Sequence, residues 1–472
     1  MSTAPNIIET PPPTPVNLRL PGAVLLLSCY EMGHQPQGIA GLLPVLKTRG
    51  YRPEAVDLSL EDLPPDKVRR ANFVGISVPM HTALRLGMGV IRQVRELNPT
   101  CHICVYGLYA SLNRSFLLEN GADSCIGGTY EESVAELLDR LTDGSGRPEP
   151  VARPLLRRSP VRVPQRGTLP SLSRYAHVIV DDETRVTGYV EASRGCLHLC
   201  RHCPIPPVYG GRFFVAPPEI VMEDIRQQVA AGARHITFGD PDFLNGPGHA
   251  MRLARLLHHE FPGVTFDCTT KIEHILQRPA LFPELRECGC IFIVSAVESL
   301  SDTVLRILDK GHTRKDVVDA LAILNSAGIA MRPTWLPFTP WTTLEDYLDL
   351  FQFVEDHDLI DHVDPVQYSV RLLLPPGSLL LDRPEMQPYL GPLIEENFSY
   401  EWRAIDERMD RLASAVARLV EEAASAEEDP ADTFYRIWLL AASFSSSPPH
   451  VPKRQIPPGR KRPPRLTEPW FC

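Results

Sequence analysis

Long apolar runs are missing from this 472-residue chain. Ala23–Leu27 is typical of the longest, far short of the ~20 residues that span a bilayer, so no membrane partner is expected. Met1–Pro15 lacks both basic residues and an apolar stretch. That excludes a secretory signal there and points to a cytoplasmic protein. An excess of positive charge is missing too: 48 Lys and Arg stand against 58 Asp and Glu, a formal net charge of −10, so no nucleic-acid partner is expected. No GxGxxG loop is present, and a dinucleotide is not indicated. The 11 cysteines are odd in number and follow no signal, which argues against a disulfide framework. Metal binding or redox chemistry remains for some of them. Cys29, Cys104, Cys125, Cys268 and Cys290 sit in or beside apolar strand-like runs and read as small core residues.

What is present is a double α/β alternation. Residues 1–20 are Pro-rich and expected to be disordered. Over 21–145, apolar runs (Ala23–Cys29, Ala55–Leu58, Phe73–Pro79, His102–Gly107, Ser124–Gly127) alternate with amphipathic stretches. This pattern predicts a doubly wound parallel sheet, with any ligand at the carboxyl ends of its strands. Residues 146–185 read as a linker. Over 186–385, six candidate strands (Tyr189–Ser193, His235–Phe238, Val264–Cys268, Cys290–Ala296, Ile329–Trp335, Pro365–Ser369) predict a partial (β/α)6 barrel, open at one side. Residues 386–444 read as a helical extension, with helices over Glu401–Ala424 and Pro430–Ala442. Residues 445–472 read as a flexible, Pro-rich basic tail.

Cys196, Cys200 and Cys203 lie within eight residues, directly after the first barrel strand. That is the carboxyl end of a strand, where barrels place chemistry. Soft thiolates there suit an iron–sulfur cluster or zinc, with His198 or His202 as a fourth zinc ligand.

The Cx3Cx2C spacing on the first loop of a β/α barrel resembles the radical S-adenosylmethionine (SAM) superfamily. The resemblance covers roughly residues 186–385 and implies a [4Fe–4S] cluster with one open iron that chelates SAM. Phe238-Gly239-Asp240-Pro241-Asp242 is similar to the acidic loop that grips the SAM ammonium, which implies roles for Gly239 and Asp240. Ser295-Ala296-Val297-Glu298-Ser299 is similar to the element whose glutamate accepts bonds from the ribose. Arg332, or less strongly Lys271, would pair with the SAM carboxylate. An electron donor of flavodoxin or ferredoxin type and a small-molecule or other substrate are implied as partners.

A doubly wound domain ahead of such a barrel resembles the cobalamin-binding subclass. His34 stands in the first β/α loop, without the usual Asp and Gly spacing. Ser77, Gly127 and Gly128 are small enough to admit a corrin tail. Cobalamin would make methyl transfer or 3-amino-3-carboxypropyl transfer alternative outcomes. A non-catalytic zinc or iron–sulfur scaffold is the alternative from another class. The ending Arg465-Leu466-Thr467-Glu468-Pro469-Trp470-Phe471-Cys472 resembles a radical SAM family with a Cys-Cys-Ala-Glu-Pro or Cys-selenocysteine-Ala-Glu-Pro tail. One implication is a selenocysteine after Cys472, with Cys472 as a speculative catalytic thiol.

Overall fold

A computed structural model of the chain describes residues 17–144, 156, 160–447, 449–452, 457 and 459–468. The first α/β series gives strands β1 (Val24–Ser28), β2 (Glu54–Asp57), β3 (Phe73–Ser77), β4 (His102–Tyr106) and β5 (Ser124–Ile126). All are parallel, in the order β2-β1-β3-β4-β5. β1 and β3 are buried along their whole length, as unbroken apolar runs require when helices cover both faces. Leu25, Leu27 and Ile76 pack on one face, and Leu26, Phe73 and Tyr106 on the other. Leu18 is buried, so the disorder expected through residue 20 stops short of residues 17–20. Residues 1–16 lie outside the described ones.

The second series is a curled half-barrel. Its strands are β6 (His177–Val180), β7 (Glu183–Val190), β10 (His235–Phe238), β11 (Thr265–Thr269), β12 (Cys290–Glu298) and β13 (Ala330–Trp335). A separate hairpin pairs β8 (Ser193–Gly195) with β9 (Phe213–Val215). Strands β7, β10, β11, β12 and β13 run parallel. The sixth expected strand, Pro365–Ser369, is a 3-10 turn instead. Its proline has no N–H for a ladder, and only an isolated bridge, Phe338 to Arg371, stands beside it. The first barrel strand also begins earlier than expected, because β6 folds back on β7 as an antiparallel partner.

In the extension, residues 401–406 are not helical. β14 (Leu390–Ile394) and β15 (Ser399–Trp402) pair first, and the helix starts at Glu407, capped by Asp406. Helices Glu407–Ser425 and Pro430–Ala442 then cover the barrel, with Phe434 and Trp438 packed on Phe351 at 5.1 and 6.0 Å between ring centres.

Two segments expected to be loose are tied down. In the linker, Arg166 is buried and donates to Asp224, Gln35, Gln37 and the Tyr189 carbonyl. In the tail, Arg460 bridges Asp361 and Asp429, and Arg462 joins Asp429. The strand β16 (Arg465–Leu466) then pairs with β6 at the sheet edge. The described tail is therefore a docked strap rather than a flexible arm, because its basic residues meet acidic ones far away in sequence. Among the described residues, no helix is long and apolar enough to cross a membrane.

Candidate functional site

The cysteine loop is a necked excursion. Gly195 pairs with Phe213 at the neck, at a φ of +78°. A Cβ on Gly195 would lie 2.3 Å from the Arg212 carbonyl, so only glycine closes this neck. Within the loop, Cys200 is buried and Cys196 and Cys203 are half-buried. The Cys203 N–H bonds the Cys200 carbonyl at 3.2 Å, which turns the second and third thiols together. Burial and the neighbouring thiols push Cys203 up to about 12, and burial also raises Cys196. The free Cys196 and Cys203 thiols are thus neutral, and their ligation as thiolates must release protons.

Three strand ends meet this loop or its stem. After β10, Asp240 accepts from the Ala192 N–H at 2.7 Å and the Ser193 hydroxyl at 2.5 Å. Burial raises its carboxyl to about 7 against those bonds. Gly239 is required beneath Tyr189, whose ring carbon Cζ would lie 2.0 Å from a Cβ there. At the end of β12, Glu298 accepts from His202 Nε2 at 3.1 Å and Lys310 Nζ at 3.2 Å. Burial opposes its ionisation, yet Lys310 and His202 prevail and hold it at about 2. After β11, Lys271 Nζ lies 3.0 Å from His198 Nδ1 and 3.1 Å from Glu273.

His198 continues this contact inward. Its Nε2 is 3.2 Å from His274 Nε2, and His274 Nδ1 is 2.9 Å from Asp242. Among the described residues, His198, Asp242 and His274 are the one group of three potential metal ligands within 4.8 Å of one another. The three cysteine sulfurs are not drawn that close. A tetrahedral zinc with ~2.3 Å bonds would draw its sulfurs to about 3.8 Å, whereas a four-iron cubane spreads its thiolates over separate irons. His198 and His202, the expected zinc ligands, are turned to Lys271 and Glu298 instead. Cys196 also has Asn245 Nδ2 3.5 Å from its sulfur. The donor set fits a cluster better than zinc.

Arg332 does not join these groups. It pairs with Asp364 at 2.8 Å and reaches the Pro464 carbonyl of the tail. Its place in the strand was legible from sequence, but its partners, from distant turns, were not. His198 stood out in sequence only as a zinc ligand beside the cysteines, and His274, an isolated histidine, carried no spacing signal.

The first loop of the N-terminal domain is filled by its own side chains. Glu31 accepts from the N–H groups of Gln37 and Gly38 and from Ser77. His34 is 5% exposed and stacks on Tyr189 at 4.7 Å. A Cβ on Gly127 would strike Ser111, and the Gly128 carbonyl accepts from Tyr209 at 3.5 Å. Tyr30 donates to Glu468 of the tail at 2.8 Å. Cys472 lies outside the described residues.

Residues 190–351 match the radical SAM superfamily. This part of the chain is a radical SAM domain. The radical SAM domain makes the chain an enzyme, and it implies a [4Fe–4S] cluster and SAM as cofactors. Curated relatives include a tRNA-2-methylthio-N(6)-dimethylallyladenosine synthase of Desulfosudis oleivorans, 28% identical over 45% of this chain and 48% of its own. Another is the ribosomal protein uS12 methylthiotransferase RimO of Porphyromonas gingivalis, 27% identical over 36% and 41%. The chain spans about half the length of the curated relatives it matches. In fold, the radical SAM domain and its N-terminal partner resemble the cobalamin-dependent SAM radical enzyme OxsB, at a TM-score of 0.67 and 14% identity over 85% of this chain and 66% of that one. They also resemble the radical SAM methyltransferase TsrM of Kitasatospora setae, at 0.55 and 17% over 72% and 71%.

Proposed function

We propose that the chain cleaves SAM reductively at a [4Fe–4S] cluster held by Cys196, Cys200 and Cys203, and turns the resulting radical on a small-molecule or other substrate. One observation carries this reading. Three thiols share one necked loop, Lys271 and Glu298 touch that loop from two strand ends, and Asp240 holds its stem at Ser193 from a third. When bound, the cluster supplies the electron that splits SAM, usually into methionine and a 5′-deoxyadenosyl radical. Asp240, fixed by Ala192 and Ser193, accepts from the SAM ammonium, and Gly239 gives the backbone room beneath Tyr189. Lys271 supplies the cation for the SAM carboxylate, since Arg332 is committed to Asp364 and the strap. Glu298, held ionised by Lys310 and His202, accepts from the ribose hydroxyls.

The test is anaerobic reconstitution with iron and sulfide, followed by dithionite and SAM. The expected result is about four irons per chain and formation of 5′-deoxyadenosine. A single tetrahedral zinc, or iron without nucleoside, sinks the reading.

A second reading adds cobalamin, with methyl or 3-amino-3-carboxypropyl transfer as the outcome. Its support is the two-domain likeness to OxsB and TsrM and the state of His34. Burial lowers His34 to about 4, which leaves a neutral imidazole, the form that ligates a metal. The donor chemistry fits a corrin, but the space does not fit as it stands: His34 must first leave the face of Tyr189. Equilibrium dialysis with hydroxocobalamin tests this, and a full-length chain that retains no corrin removes the second reading.

A further inference from the structure

One carboxylate at the barrel mouth is only half engaged. Asp242 follows β10 and is buried. Its Oδ1 accepts from the Leu244 N–H at 3.1 Å and from the Thr270 hydroxyl at 3.0 Å. Its Oδ2 has no hydrogen-bond partner among the described residues. Asp242 stands two residues past Asp240 yet turns elsewhere. Asp240 reaches back to Ala192 and Ser193, whereas Asp242 faces the helix after β11. A buried carboxylate oxygen without a donor is costly unless a cation meets it.

Two imidazoles stand beside that oxygen. His274, in the helix Ile272–Gln277, places its Nδ1 2.9 Å from Asp242 Oδ2. The two atoms are not aligned as donor and acceptor, and this nitrogen too is buried without a hydrogen-bond partner. The other ring nitrogen, Nε2, is 3.2 Å from His198 Nε2, which is itself 4.0 Å from Asp242 Oδ2. Two ligands held ~2.0–2.1 Å from one ion stand at most about 4.2 Å apart. The spacing fits, and a turn of the His274 ring brings the three groups onto one ion. They come from three different connections at the barrel mouth, and none of them is a cysteine of the cluster.

We propose that His198, Asp242 and His274 bind one divalent first-row metal ion of the zinc kind, separate from the cluster. Two imidazoles and a carboxylate are a donor set for borderline divalent metals. Three protein ligands leave a coordination position for water or for an oxygen or nitrogen of the substrate. The Asp242 side chain is shut off from solvent while that of His198 is 20% exposed, so the open position faces the barrel mouth. A ligating His198 gives Nε2 to the metal and carries its proton on Nδ1. Glu273 Oε2, 3.7 Å away, accepts that proton's bond, and Lys271 gives up its 3.0 Å contact with the same nitrogen. The carboxylates of Asp242 and Glu273 offset the charge of the ion beside Lys271. The inference goes beyond the cluster reading and does not depend on it.

Zinc is the probe. Full-length protein reconstituted with iron and sulfide is dialysed against zinc, and metal analysis is joined to X-ray absorption at the zinc edge. The expected result is one zinc per chain in addition to about four irons, with nitrogen and oxygen ligands at ~2.0–2.1 Å and no sulfur. Sulfur ligands at ~2.3 Å overturn the proposal, because the zinc has then gone to cysteines. Failure to retain zinc overturns it as well. Asp242→Asn keeps an acceptor for Leu244 and Thr270 but removes the anionic oxygen. It and His274→Gln are each expected to raise the Kd for zinc about 10–100-fold with iron content at the wild-type level. Unchanged zinc affinity in both variants overturns the assignment. Should a variant lose iron together with zinc, the ligand shell of the wild-type zinc decides. Failure of the cluster reading shows as missing iron and is told apart from failure here, which shows in the zinc shell alone.

Discussion

Two loops of this molecule occupy equivalent places, each at the carboxyl end of the first strand of a parallel sheet. Their contents are opposite. The barrel loop keeps its chemistry available: burial holds the Cys196 and Cys203 thiols protonated, Lys271 and Glu298 reach the loop, and Asp240 holds its stem. The N-terminal loop spends its chemistry on itself. Glu31 caps the helix beginning at Gln37, and His34 lies against Tyr189. The position in a fold nominates a site, but unspent ligand atoms decide whether one is there.

The sharpest way to break the contrast is at Cys200. Cys200→Ala should abolish cluster retention and all SAM cleavage, because the loop carries no fourth cysteine to replace it; iron and sulfide analysis checks it, and a variant that keeps four irons would overturn the assignment. Next comes the cation. Lys271→Met should raise the KM for SAM on the order of 10–100-fold, the loss of one charge-assisted bond, while Arg332→Met should leave KM near wild type and lower the melting temperature instead.

The N-terminal loop should respond through stability. Burial raises Glu31 from 4.5 to about 7, so the folded state holds that proton more tightly than the unfolded chain does. The stability gained is complete below pH 4.5 and is lost as pH climbs through about 7, an effect of about 3 kcal/mol at most. Glu31→Gln should flatten that window in urea titrations; an unchanged pH profile would refute it. The smallest effect concerns the strap. Arg460→Ala should cost about 1 kcal/mol and expose residues 459–468 to protease, without altering iron content.

Much of this was legible in the sequence, for identifiable reasons. The N-terminal strands carry apolar runs bounded by turn residues, and all five stand where the pattern put them. The cysteine spacing marked the loop, and Asp240 and Glu298 were marked by following strand ends. What was missed depends on contacts that sequence does not display. Pro365–Ser369 has strand-like residues, but its opening proline blocks a ladder. The residues from Arg460 to Arg465 look like a solvated arm until Asp361 and Asp429 are placed beside them. Arg332 sits in its predicted strand, yet its guanidinium turns to Asp364 rather than to the loop.

The strap has a mechanical consequence. Thr467 exchanges two hydrogen bonds with His177, and Glu468 holds Tyr30 in the other domain. The polypeptide thereby doubles back and bolts its two halves together beside the loop that carries His34. Any hinge motion that parts those halves has to give up the Tyr30–Glu468 bond together with the Arg166 contacts to Gln35 and Gln37, so the chain's own tail shares in limiting how far they can separate.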